Sequence, residues 1–120
     1  MMSENPIFSD DMQELVESFI MESRELFDDL DNDLLAFEQN PEDAELINKI
    51  FRAVHTIKGT SGFLSLEQLS YLTHHFENVL NLLRQGDLAF EPHMMDVMLQ
   101  VLDQMKVLFM QVVDQKLVAL

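Results

Sequence analysis

An all-α fold, an antiparallel up-down-up-down four-helix bundle, is predicted by three features of this sequence. Apolar residues recur at three- and four-residue steps over long stretches. Only three Gly and three Pro occur, and they lie outside the longest of those stretches. Punctuation this sparse favours a few long helices over many short strands. The connections between the periodic stretches are short, so consecutive helices pack as antiparallel neighbours.

The elements follow in order. Asp10 with Gln13 reads as a capping box opening a first helix over about 10–39, because a side-chain oxygen there can accept an otherwise orphan backbone N–H. Met12, Leu15, Phe19, Leu26, Leu30, Leu34 and Phe37 form its apolar stripe, lapsing only near Glu22 and Ser23. Asn40-Pro41-Glu42-Asp43 stops that helix and starts a second over about 41–61, with asparagine as cap, proline at the first helical position and two acids at the positive terminus. This helix should bury Leu46, Ile47, Ile50, Val54 and Ile57. Gly62-Phe63-Leu64 makes the next turn, and Ser65 with Gln68 is a second capping box. The third helix, about 65–85, should bury Leu66, Leu69, Thr73, Phe76, Leu80 and Leu83, with Gly86 as its left-handed stop. Glu91-Pro92 opens a fourth helix over about 91–117 with Met94, Met98, Val101, Met105, Leu108 and Val112 on its core face. Val97, Leu102, Phe109 and Val113 widen that face beyond one seam. The surplus covers two neighbours or serves self-association through the last helix.

Composition narrows the function classes. A chain of 120 residues, 48% hydrophobic, is long enough for one packed domain. Seven Lys and Arg against 22 Asp and Glu give a net charge of −15. Such a polyanion repels nucleic-acid backbones and anionic membranes. The absence of cysteine excludes disulfides and thiolate metal sites and fits a cytoplasmic location. Met1 to Asp10 has neither the basic nor the apolar region of a signal peptide, and no apolar run approaches a membrane span. The apolar end, Leu117-Val118-Ala119-Leu120, leans toward a piece of a longer chain.

One stretch departs from an ordinary bundle. His55, Lys58, Gly59 and Gly62 share a helix face, since residues three and four apart are neighbours there. His55 follows Val54 by about 100° around the helix, at the edge of the buried face. On the third helix a polar stripe of Ser70, His74, Glu77 and Asn81 runs beside the core stripe. A tight turn between two antiparallel helices brings His55 and Glu77 to similar height. A carboxylate accepting a proton from one ring nitrogen fixes the tautomer and leaves the other nitrogen as a nucleophile. Lys58 can pair with negative charge placed on that nitrogen, and the glycines leave room for a large partner. No P-loop, glycine-rich nucleotide lid or dense carboxylate cluster occurs, so the chain is not expected to bind and cleave ATP by itself.

The blocks Phe51-Arg52-Ala53-Val54-His55-Thr56-Ile57-Lys58-Gly59-Thr60-Ser61-Gly62-Phe63 and Leu72-Thr73-His74-His75-Phe76-Glu77-Asn78-Val79-Leu80 resemble the histidine phosphotransfer (HPt) domain, most closely the N-terminal P1 domain of the chemotaxis histidine kinase CheA. The resemblance implies that His55 accepts a phosphoryl group at Nε2 from an ATP-binding kinase catalytic domain and passes it to an aspartate of a response regulator receiver domain. It implies that Glu77 hydrogen-bonds Nδ1, that Lys58 and His74 complete the polar environment, and that Gly59 and Gly62 belong to the docking surface. No cofactor or metal is expected in this domain itself, ATP and Mg²⁺ being bound by the separate kinase domain. The parent chain is then a protein histidine kinase, with a free-standing phosphorelay protein as the alternative. His75 and His93 read as surface residues.

Two readings from other classes compete. A metal-binding bundle using His55, His74 and Glu77 suffers from the lack of paired Glu-x-x-His motifs and inward carboxylates. An acidic scaffold binding a partner through its last helix predicts that His55 is dispensable.

Overall fold

A computed structural model describes residues 10–119, and side-chain surroundings for residues 13–114. Four helices follow one another: α1 Asp10–Gln39, α2 Ala44–Phe63, α3 Glu67–Gln85 and α4 His93–Ala119. No strand occurs among the described residues. Each helix packs on the next and α4 returns to α1, giving the four-helix bundle that the periodicity predicts, 54 Å long and 21 Å across.

The core comes from the seams. On α1, Val16, Phe19, Ser23, Phe27, Leu30, Leu34 and Phe37 are all buried, a run of three- and four-residue steps that keeps one stripe inward. Ser23 fills the place where the apolar spacing lapses. Leu15, expected inside, is 44% exposed, because Val16 lies nearer the centre of this stripe and Leu15 falls at its edge. Met12 and the side chain of Asp10 in the expected capping box lie outside the described side chains, as do Leu117, Val118, Ala119 and Leu120. On α4 the buried residues are Met95, Met98, Leu102, Met105, Phe109, Val112 and Val113, while Met94, Val101 and Leu108 pack partly buried against them. The core stripe of α4 is therefore turned toward the residues expected only to widen it, and Val97 is exposed.

Several boundaries differ from the expected ones for local reasons. α2 begins at Ala44, not Pro41, because Asp43 Oδ1 accepts the Leu46 N–H at 3.1 Å and caps the helix. Asn40 and Pro41 lie in the preceding turn, closed by a 3.1 Å bond from the Asp43 N–H to the Asn40 carbonyl. At its other end α2 continues through Gly62 and Phe63, so these residues do not form the turn. Ser65 adopts a left-handed φ of 61°. The Leu66 N–H reaches the Ser61 carbonyl at 2.8 Å while the Ser65 N–H reaches that of Gly62 at 3.1 Å, the paired bonds of a Schellman stop. Ser65 thus ends α2 and does not cap α3, whose first turn has no side-chain cap. Gly86, at φ 79°, ends α3 as expected. α4 begins at His93, after a turn in which the Met95 N–H bonds the Pro92 carbonyl at 3.1 Å.

Small hydroxyl residues set the approach of α2 to α3. Ser61 and Thr73 are fully buried, and each donates to a carbonyl four residues back in its own helix, Ile57 and Leu69 respectively. These internal bonds satisfy polar atoms that would otherwise be costly to bury. Among the described residues no buried side-chain nitrogen or oxygen lacks a partner. No helix of the described residues is long and apolar enough to cross a membrane.

Candidate functional site

The α2–α3 seam runs antiparallel from the turn at Leu64–Leu66, so stepping back along α2 meets residues further along α3. Phe51, His55 and Lys58 occupy one face of α2 at helical spacing, and Glu77, Asn81 and Arg84 occupy the facing stripe of α3. This register fixes who meets whom. Lys58 and His55 both meet Glu77, and Phe51, one turn earlier, meets Arg84.

Glu77 is the hinge of the arrangement. It is 7% exposed, the one buried carboxylate among the described residues. Its Oε2 pairs with His55 Nδ1, and its Oε1 accepts from Lys58 Nζ at 2.8 Å. Burial by itself pushes this carboxyl's pKa up. Hydrogen bonds from Lys58 and then His55, together with their charges, more than offset it and hold the pKa below the ordinary glutamate value of 4.5. The carboxylate is therefore ionised at neutral pH. With Nδ1 carrying its proton toward Glu77, the other ring nitrogen is the one with a free lone pair.

The His55 side chain is 59% exposed. Its Nε2 takes no partner among the described residues, and the ring is open to an incoming group while its other edge is tied down. Lys58, expected to face charge on that nitrogen, is instead engaged with Glu77. His74 is exposed and lies beside His75, ring centroids 5.6 Å apart, and the structure gives it no hydrogen bond to His55. It lines, with Lys58, Gly59, Gly62, Phe63, Ser70 and Tyr71, an open groove of about 550 Å³ next to the histidine. Phe63 and Tyr71 on its rim are each 69% exposed.

The glycines differ from one another. A Cβ on Gly62 would make an ordinary contact with Ser70 Oγ at 3.5 Å, whereas one on Gly59 would meet nothing within 4 Å. The turn needs neither, since both lie inside α2 with no positive φ. Among the described residues no group of three or more His, Asp or Glu is arranged to hold a metal ion.

Sequence reasoning overlooked Phe51 and Arg84. The Phe51 ring stacks on the His55 imidazole, with centroids 6.0 Å apart and planes 12° from parallel, and the Arg84 guanidinium carbon lies 4.2 Å from the Phe51 ring centroid. The available signal was the four-residue spacing of Phe51 and His55.

The seam thus holds a buried carboxylate on one nitrogen of an exposed histidine, beside a lysine and a glycine-cleared helix face. The Hpt domain profile matches residues 14–107. The chain belongs to the histidine phosphotransfer domain family. This HPt domain is 49% identical over 105 residues to the sensor histidine kinase CheAY of Helicobacter pylori, a match covering 88% of the chain and 13% of that relative. It is 36% identical over 104 residues to the chemotaxis protein CheA of Bacillus subtilis, covering 87% of the chain and 16% of the relative. The chain thus spans less than a fifth of the length of these curated relatives. The CheA phosphotransferase domain from Thermotoga maritima superposes with a TM-score of 0.77 at 33% identity, covering 83% of this chain and 95% of that one. A computationally redesigned four-helix bundle superposes equally well, with a TM-score of 0.77 at 25% identity over 83% of this chain and 98% of that one.

Proposed function

We propose that this HPt domain is a phosphohistidine carrier of chemotaxis-type two-component signalling, with His55 as phosphoacceptor. The observation that carries this reading is the pairing of exposed His55, through Nδ1, with buried Glu77. ATP and Mg²⁺ belong to a separate kinase domain, and the 120 residues form one phosphotransfer module of a longer histidine kinase.

In the first step the Nε2 lone pair attacks the γ-phosphorus of ATP, the N–P bond forms, and the bond to the bridging oxygen breaks to release ADP. The ring keeps its Nδ1 proton and gains positive charge, which the adjacent Glu77 carboxylate stabilises. In the second step a carboxylate oxygen of a receiver aspartate attacks the same phosphorus. The N–P bond breaks, its electron pair returns to Nε2, and the ring is neutral again. Lys58 supports both steps by holding Glu77 in place and ionised. His74 contributes to the rim of the groove and not to the ring. Gly59 fits a docking role, because a glycine inside a helix costs about 1 kcal/mol relative to alanine and nothing in this chain uses the space it leaves.

The test is incubation with a CheA-type catalytic domain and γ-labelled ATP. Acid-labile, alkali-stable label is expected on the domain and absent from His55→Gln. Label that survives in that variant, or that maps to His74, rejects the assignment.

A further inference from the structure

Glu77 fixes one point of the His55 imidazole and leaves a degree of freedom open. A single hydrogen bond to Nδ1 defines a line, and the ring can still swing about it, sweeping Nε2 through an arc. In-line attack on phosphorus needs one direction of that nitrogen. A second contact that defines the plane of the ring would remove the remaining freedom.

Phe51 supplies such a contact. It precedes His55 by four residues on α2, so the two side chains lie one above the other on the same face. Their near-parallel planes and 6.0 Å centroid separation are those of an offset stack. Phe51 is half-buried and is itself restrained from α3. Arg84 places its guanidinium over the Phe51 ring at 4.2 Å, within the range of a cation–π contact. Arg84 Nη2 in turn donates to Asn81 Oδ1 at 2.6 Å. The restraint runs from Asn81 through Arg84 and Phe51 to the imidazole. It uses one of only seven Lys and Arg in a chain that carries 22 acids.

We propose that Phe51, clamped by Arg84, is a positioning residue that sets the plane of the His55 ring for phosphoryl transfer. The inference rests on the phosphoacceptor reading of His55. Glu77 sets the direction of one ring nitrogen, and the Phe51–Arg84 stack sets the direction of the other. Without the stack the ring turns about its terminal torsion, which is broad and not confined to staggered wells, and the fraction with Nε2 in the productive direction falls to roughly a third or less.

The experiment compares Phe51→Leu, Phe51→Tyr and Arg84→Met with the unaltered domain in two measurements. The first is steady-state phosphorylation by a CheA-type catalytic domain. Phe51→Leu is expected to lower kcat about three- to tenfold with KM for the kinase domain unchanged, Arg84→Met to do so more weakly, and Phe51→Tyr to restore the rate by keeping the ring. The second, in the unphosphorylated domain, is the NMR shift of the His55 ring protons, which the Phe51 ring current displaces. That displacement is expected in the unaltered domain and in Phe51→Tyr and lost in Phe51→Leu. A wild-type kcat in Phe51→Leu overturns the proposal, as does a Phe51→Tyr variant as slow as Phe51→Leu, which would mean that packing volume and not ring geometry matters. Missing ring-current displacement in the unaltered domain overturns it without any phosphorylation. Failure of the phosphoacceptor reading itself shows differently, as label surviving in His55→Gln while the displacement is intact, and removes the proposed role with it.

Discussion

Two long seams of this bundle differ in what they hold beside their apolar core. Between α1 and α4 the contact is apolar: Phe109 packs against Phe19 at 5.8 Å and Phe27 at 5.2 Å, with Leu102 and Met105 fully buried. An ion pair sits at the rim of this seam, Lys106 with Asp31 at 2.6 Å, both partly exposed. Between α2 and α3 the seam takes in a carboxylate, two hydroxyls and one side of a histidine. Burying such groups contributes little net stability, so the stability of this seam comes from the apolar residues buried around them, Val54, Ile57, Leu69, Phe76 and Leu80 among them. The division lets a reactive side chain be held firmly at the surface of a helix without the fold resting on it.

Breaking the apolar seam should give the largest loss of stability. Phe109→Ala removes the ring that bridges Phe19 and Phe27 and should cost about 3–5 kcal/mol, read by urea denaturation. Phosphorylation per folded molecule should stay near that of the unaltered domain, because the site lies on the other seam. A proportionate loss of transfer in the folded fraction would show that the seams are not separable.

Breaking the polar seam should reverse the pattern. Glu77→Gln is expected to slow phosphorylation about 10- to 100-fold, the scale seen when a carboxylate that orients a metal-bound histidine is lost, while stability falls by only about 1 kcal/mol. The pH dependence carries a sign. Because the folded-state pKa of Glu77 is depressed below 4.5, its stabilising contribution is present above that value and disappears as pH falls through the lower folded pKa. The stability gap between the unaltered domain and Glu77→Gln should therefore narrow below about pH 4.5. A gap that is constant across that range would remove the charge of Glu77 from the account.

A smaller change sharpens the contrast further. Gly59→Ala fills space that this chain leaves empty and should stabilise the helix by up to about 1 kcal/mol. Transfer to a receiver domain should nevertheless slow, measured as the rate of label loss from the phosphorylated domain. Unchanged transfer would take Gly59 out of the docking surface.

How much of this was legible in the sequence follows the same division. The four helices were, because α1 keeps its three- and four-residue steps from Val16 to Phe37 and nothing long-range is needed to see them. Helix ends were less legible, since one proline or serine has several local uses. Pro41 looked like a first helical residue until Asp43 took the capping bond, and Ser65 looked like a cap although its left-handed φ ends the preceding helix. The His55–Glu77 contact was legible because antiparallel helices joined by a short turn fix the register. The direction of Lys58 toward Glu77, and the Arg84–Phe51–His55 stack, were not. Both depend on how side chains from two helices settle between each other, which spacing along either helix does not encode.

The central claim is that buried Glu77 holds Nδ1 of His55 and so offers Nε2 for phosphorylation. Long-range ¹⁵N–¹H correlation spectra of the His55 ring, recorded before and after phosphorylation by a CheA-type catalytic domain, test it directly. The account predicts a proton on Nδ1 beforehand and phosphorus coupled to Nε2 afterward. An Nδ1 without a proton in the free domain, or phosphorus on Nδ1 in the product, would contradict it.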